Sequence, residues 1–190
     1  MAVSGVRSNV FSFLPLLLIL SITPLSSSSS FSPSDKVTKA LLDQLCSQPT
    51  IYKHFCIPWL TSDPTTFTLD LKGLVPVVFQ KAEMLGYKNL AMIEGLHRTT
   101  NDPTLKIPYG SCITGYEFSN TALKKAKQLA RSKAYVSASK AAFEAFDSIN
   151  MCESLLEGLA TPANVSKRNM WYERMCNTGM AFSDILAFGL

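Results

Sequence analysis

Apolar residues recur at steps of three and four along most of this chain, and that spacing constrains the fold more than any motif does. Leu71, Leu74, Val75, Val78, Ala82, Leu85, Met92 and Leu96 form one such stripe. Cys112, Tyr116, Ser119, Leu123, Ala126 and Ala130 form a second, and its small residues permit a close neighbour. Val136, Ala138, Ala142, Ala145, Phe146, Ile149 and Cys152 form a third, and Tyr172, Met175, Cys176, Gly179, Met180 and Phe182 a fourth. A period near 3.6 residues marks a helix with one buried face. No run alternates with the period of two that a half-buried strand needs. Four long amphipathic helices predict an all-α fold, an antiparallel up-and-down four-helix bundle.

The punctuation sets the expected boundaries. Ser34 and Asp35 are placed to cap a first short helix through Leu41, Leu42 and Leu45. Pro49 interrupts it, and Pro58 is expected to break a second short piece around Phe55 and Cys56. SDPTTF, residues 62 to 67, reads as a turn and a helix start. The first long pattern runs from there to about Thr99, with a kink or a delayed start at Pro76. TTNDPTLKIPYG, residues 99 to 110, reads as a linker holding Pro103 and Pro108, with the next helix starting near Tyr109. Arg131 to Lys133 is either a break or a continuation. Gly158 and Pro162 end the third stripe, and the last helix covers roughly Lys167 to Leu186.

Before these stripes stands a leader. Arg7 is followed by FLPLLLIL, residues 13 to 20, then Pro24 and the serines Ser26 to Ser30. An apolar core this short is a signal peptide and not a span. Residues 1–30 are read as the signal, with cleavage between about 25 and 31, and residues 31–190 as one domain. Losing Arg7 and no acid takes the formal charge from +4 to +3, which specifies no partner. Export to an extracellular space is the expectation. Retention in a vacuole would give the same sequence.

All five cysteines follow the leader. In an oxidising compartment they pair by default, and five leaves one thiol over. Four bridged cysteines allow three pairings, and sequence alone does not choose between them. Closure favours the local ones, Cys46 with Cys56 and Cys112 with Cys152, worth roughly 2.7 and 3.9 kcal/mol on a loop-entropy basis. The second would join the start of one long helix to the end of the next, where antiparallel neighbours meet. The first would staple a small hairpin of helices each too short to stand alone. Cys176 is then the free thiol, on an apolar stripe.

Little here carries catalysis. His54 and His97 stand outside any triad or metal context. No glycine-rich phosphate loop occurs. The basic run KKAKQLARSK, residues 124 to 133, has no interleaved aromatic residues and reads as a solvated face, so nucleic acid is not an expected partner. No enzyme activity, cofactor or metal is expected, and no membrane contact after leader cleavage. Asn164-Val165-Ser166 is a glycosylation acceptor, expected in a loop before the last helix.

Together these residues carry a resemblance to the plant invertase and pectin methylesterase inhibitor family, over roughly residues 35 to 188. Its marks are Cys46 and Cys56, SDP at 62 to 64, DLKGL at 70 to 74, DPTLK at 102 to 106, YGSC with Tyr116, QLARSKAY, Cys152 with Glu153, and Cys176. The resemblance implies a non-enzymatic inhibitor that blocks a hydrolase cleft in a one-to-one complex. It also implies a disulfide-closed N-terminal helical hairpin on the bundle. Invertase inhibitors of the family typically carry Pro-Lys-Phe where this chain reads ARSKAYV, residues 130 to 136. The missing proline points to pectin methylesterase as the target, with acid invertase the alternative. A non-inhibitory interaction protein of the same fold is the further one. Two positions of the implied inhibitory face differ. Thr114 stands where the family has an acidic residue, and Met151 where it has a threonine. Glu117, Lys124, Glu144, Asp147 and Asn150 are the neighbouring candidates for target contact.

Overall fold

The computed structural model describes residues 32–189, so the leader lies outside the described residues. Six α-helices follow in order: α1 Lys39–Cys46, α2 Lys53–Thr61, α3 Leu71–Thr99, α4 Pro103–Arg131, α5 Tyr135–Leu156 and α6 Ala163–Phe188. A short 3-10 turn, Pro64–Thr68, precedes α3. α3 to α6 form an antiparallel bundle in which each helix packs on two neighbours: α3 on α4 and α6, α5 on α4 and α6. α1 and α2 make a hairpin closed by Cys46–Cys56, which packs against the bundle.

Each start has a local cause. Thr38 caps α1 by accepting from the Leu41 N–H at 3.1 Å. Ser34 and Asp35, the expected caps, stand earlier in a turn. The chain after them is held by backbone pairing, Val37 N–H donating to the Leu69 carbonyl at 2.8 Å. Asp70 caps α3 at the Gly73 N–H, 2.8 Å. Asp63 caps the 3-10 turn and meets Lys81 Nζ at 2.5 Å. The Lys81 contact and the Thr65 hydrogen bonds hold its carboxyl down at about 2.

The structure departs from expectation at Pro58, Pro103 and Pro108. α4 begins at Pro103, not near Tyr109, so the expected linker shrinks to residues 100–102. Asp102 accepts from the Thr104 N–H at 2.8 Å, and Pro103 takes the first helical position, where its missing N–H has no partner to lose. Pro108 lies inside α4, Pro76 inside α3 and Pro58 inside α2. Each forfeits one backbone bond. Burial of Leu105 and Tyr109, of Val75 and Val78, and of Cys56 and Leu60 on either side outweighs that loss. The chain does break after Arg131, with no glycine or proline: Lys133 takes a left-handed φ of 62°. α6 starts at Ala163, a full turn earlier than expected, so Asn164 to Ser166 is helix and not loop.

The bundle centre is partly polar and largely satisfied. Tyr116 donates to Asn169 Oδ1 at 2.5 Å and accepts from Asn89 Nδ2 at 3.0 Å. Ser119 shares a hydrogen bond with the Tyr172 hydroxyl and donates to the Ala145 carbonyl at 2.9 Å. Burial pushes both phenols well above their ordinary range. α3 and α6 approach closely at Gly179, where a Cβ would lie 2.3 Å from Phe79 Cε1. Gly179→Ala is therefore expected to cost about 1–3 kcal/mol through overpacking. Urea unfolding measures this, and an unchanged midpoint would mean that the two helices can separate freely there.

Candidate functional site

α4 and α5 are joined side by side by Cys112–Cys152, with Cα atoms 4.8 Å apart. The close approach continues along the pair. A Cβ on Gly115 would lie 3.2 Å from the Ser148 carbonyl. Ser119 reaches the Ala145 carbonyl, as above. Small residues along the seam (Ala122, Ala126, Ala138, Ala141) bring the two outer ridges together as one surface.

On α4 the exposed ridge runs Thr114, Phe118, Thr121 and Lys125, at steps of three and four. On α5 it runs through Asp147, Met151 and Leu155, at steps of four. Phe118 is 53% exposed and Met151 64%. Two large apolar side chains thus stand in the open, with Asp147 and Lys125 on the same outer ridges, while Glu117 and Lys124 stand roughly 140° and 120° round α4 from Cys112, on its α3 side. Among the described residues no ion pair engages these four charges. Lys127, one turn from Lys124, differs: it is held at 2.5 Å by Glu83 of α3. An unpaired charge on a helix ridge is free to meet a partner without breaking an internal contact.

Of the residues singled out by sequence, Thr114, Asp147 and Met151 lie on these ridges, and Glu117 and Lys124 on the α3 side of α4. Glu144 is half-buried one turn from Asp147. Asn150 is half-buried and, at 100° per residue, points away from the bridge side of α5. Phe118 was missed. Its signal was available: it stands four residues after Thr114, off the Cys112–Tyr116–Ser119 stripe.

Other chemistry is sparse. Among the described residues no three His, Cys, Asp or Glu side chains gather where a metal could bind, and no helix is long and apolar enough to cross a membrane. Cys176 is free and buried, and burial raises its thiol well above the ordinary range, which leaves it protonated and unreactive. Glu153 accepts from Asn169 Nδ2 at 2.6 Å and from the Ser166 hydroxyl, a structural role.

The sequence profile of the plant invertase/pectin methylesterase inhibitor family matches residues 40–182. The chain belongs to this family. It is accordingly an inhibitor-family protein and not an enzyme. It is 32% identical over 187 residues to a pectinesterase inhibitor of Actinidia deliciosa, covering 98% of each chain. It is 27% identical over 175 residues to the cell wall / vacuolar inhibitor of fructosidase 2 of Arabidopsis thaliana, covering 90% of this chain and 97% of that one. The crystal structure of mutant form A of a pectin methylesterase inhibitor from Arabidopsis superposes with a TM-score of 0.68 at 17% identity. That match spans 77% of this chain and 95% of the other, and it is a likeness of fold.

Proposed function

We propose that this protein binds a plant pectin methylesterase one-to-one and occludes its active-site cleft with the α4–α5 face. The observation that carries the reading is the exposed pair Phe118 and Met151 on a rigid, disulfide-tied surface with unpaired charges of both signs around it. Specific interfaces bury about 800 Å² per partner around an apolar centre with a polar rim, and this face has both parts. The 32% identity to a protein named a pectinesterase inhibitor supports the choice of target. The leader expected from the sequence and the two bridges support export of a mature domain, residues 31–190, with the apoplast as its compartment and the vacuole the alternative.

Acid invertase is the second reading, favoured by the likeness to an inhibitor of fructosidase. It would engage the turn at Lys133 and Tyr135, which here lacks the proline of invertase-directed members. Titration of the mature protein against pectin methylesterase, with acid invertase in parallel, separates the two. Stoichiometric loss of esterase activity is the expected result. Loss of invertase activity alone would transfer the target, and two fully active enzymes would leave a non-inhibitory bundle.

A further inference from the structure

Asn164, Val165 and Ser166 occupy the first turn of α6, with Val165 buried and the other two exposed. The Asn164 amide nitrogen lies 3.7 Å from Met92 Sδ of α3. Asn164, Lys167 and Trp171 follow at steps of three and four and so share one helix face. Lys167 Nζ stands 5.0 Å from the centre of the Trp171 ring, which is 38% exposed. This strip, with Met92 and Trp171 as its apolar members, lies on the α3–α6 side. In a ring where α3 touches α4 and α6, and α5 touches α4 and α6, that side is opposite the α4–α5 face.

We propose that Asn164 carries an N-linked glycan that covers the Met92–Trp171 strip and leaves the α4–α5 face bare. The donor is a polyprenyl pyrophosphate-linked oligosaccharide. Asn164 Nδ2 forms a bond to C1 of the reducing-end N-acetylglucosamine. The C1–O bond to the pyrophosphate breaks, and the lipid pyrophosphate leaves with that electron pair. The nitrogen loses one proton and keeps one, with no change of oxidation state. In the fold the Ser166 hydroxyl donates to Glu153 and the acceptor backbone is helical. The transfer therefore precedes folding of α6, on the extended chain entering the export pathway. Afterwards the glycan stays outside the packed turn and lies along the strip, because Asn164 is exposed beside Met92 while Val165 anchors the turn.

The full chain is expressed in a eukaryotic secretory host, and the secreted product is analysed by peptide mass spectrometry with and without a peptide N-glycosidase. The expected result is one glycan on the peptide containing Asn164, removed by the glycosidase with conversion of Asn164 to aspartate. Asn164→Gln should migrate with the deglycosylated protein, and Ser166→Thr should keep the glycan. An unmodified Asn164 peptide in the secreted protein overturns the proposal without needing any variant to fold. Placement is read separately, in a Trp59→Phe background, by iodide quenching of Trp171 fluorescence. Quenching should fall at least twofold in the glycosylated form. Equal quenching in both forms would mean that the glycan points away from the strip.

Discussion

Replacing Cys112 and Cys152 together with alanine is expected to lower the unfolding free energy by about 4 kcal/mol. The bridge closes a segment with a sequence separation of 40, and cross-links act mainly by removing freedom from the unfolded chain, about 4 kcal/mol for that length. Both cysteines are buried, so alanine adds no unpaired polar group. The double change is the cleaner experiment. Either single change leaves a spare thiol in a chain that already holds Cys176, and exchange between them would obscure the result. Urea unfolding measures the effect, and an unchanged midpoint would show that the bundle does not depend on the bridge. The Cys46–Cys56 pair closes a separation of 10 and should contribute about 3 kcal/mol by the same reasoning. Its loss should act more locally. The hairpin rests on α6 through the Tyr52 and Phe55 rings, 4.4 and 5.9 Å from the Arg174 guanidinium carbon.

Phe118→Asp should weaken inhibition of pectin methylesterase by about 30-fold or more, with an unchanged melting temperature. An anchor at the centre of a binding face typically costs about 2 kcal/mol or more when lost, and a desolvated carboxylate adds to that. Phe118 is largely exposed and touches little of the core, so the fold should not register the change. Met151→Asp, on the adjoining ridge, should behave alike. Met84 on α3 is exposed to the same degree as Phe118, 53%, and Met84→Asp is the control expected to leave inhibition alone. Inhibition constants of the three variants, measured beside their melting curves, decide the matter. Equal constants for Phe118→Asp and the parent would move the contact surface off the α4–α5 face.

Helix content was legible because burial imposes its period on the residues, as in the stripe from Val136 to Cys152, which lies within the observed helix Tyr135–Leu156. Helix starts were not. Pro103 and Pro108 read as linker because proline disfavours a helix interior, yet Pro103 sits where proline fits a helix start and Pro108 between buried Leu105 and Tyr109. Asn164 read as loop because the capping signals near Pro162 are weak; buried Val165 draws the chain into helix a turn early. The site was legible only in outline. Thr114 and Met151 came from family likeness, while Phe118 became visible once α4 and α5 were set side by side.

The sequence by itself determined the helical class, the number of long helices and the stock of cysteines, because periodicity and composition are properties of the chain alone. Which ridges adjoin, which charges stay unpaired and which aromatic ring stands in the open were decided by the tertiary structure. Those depend on the register between helices, which is set by contacts such as Cys112 with Cys152 and Ser119 with Ala145. Residues that far apart along the chain are brought together only by the packing of the whole bundle.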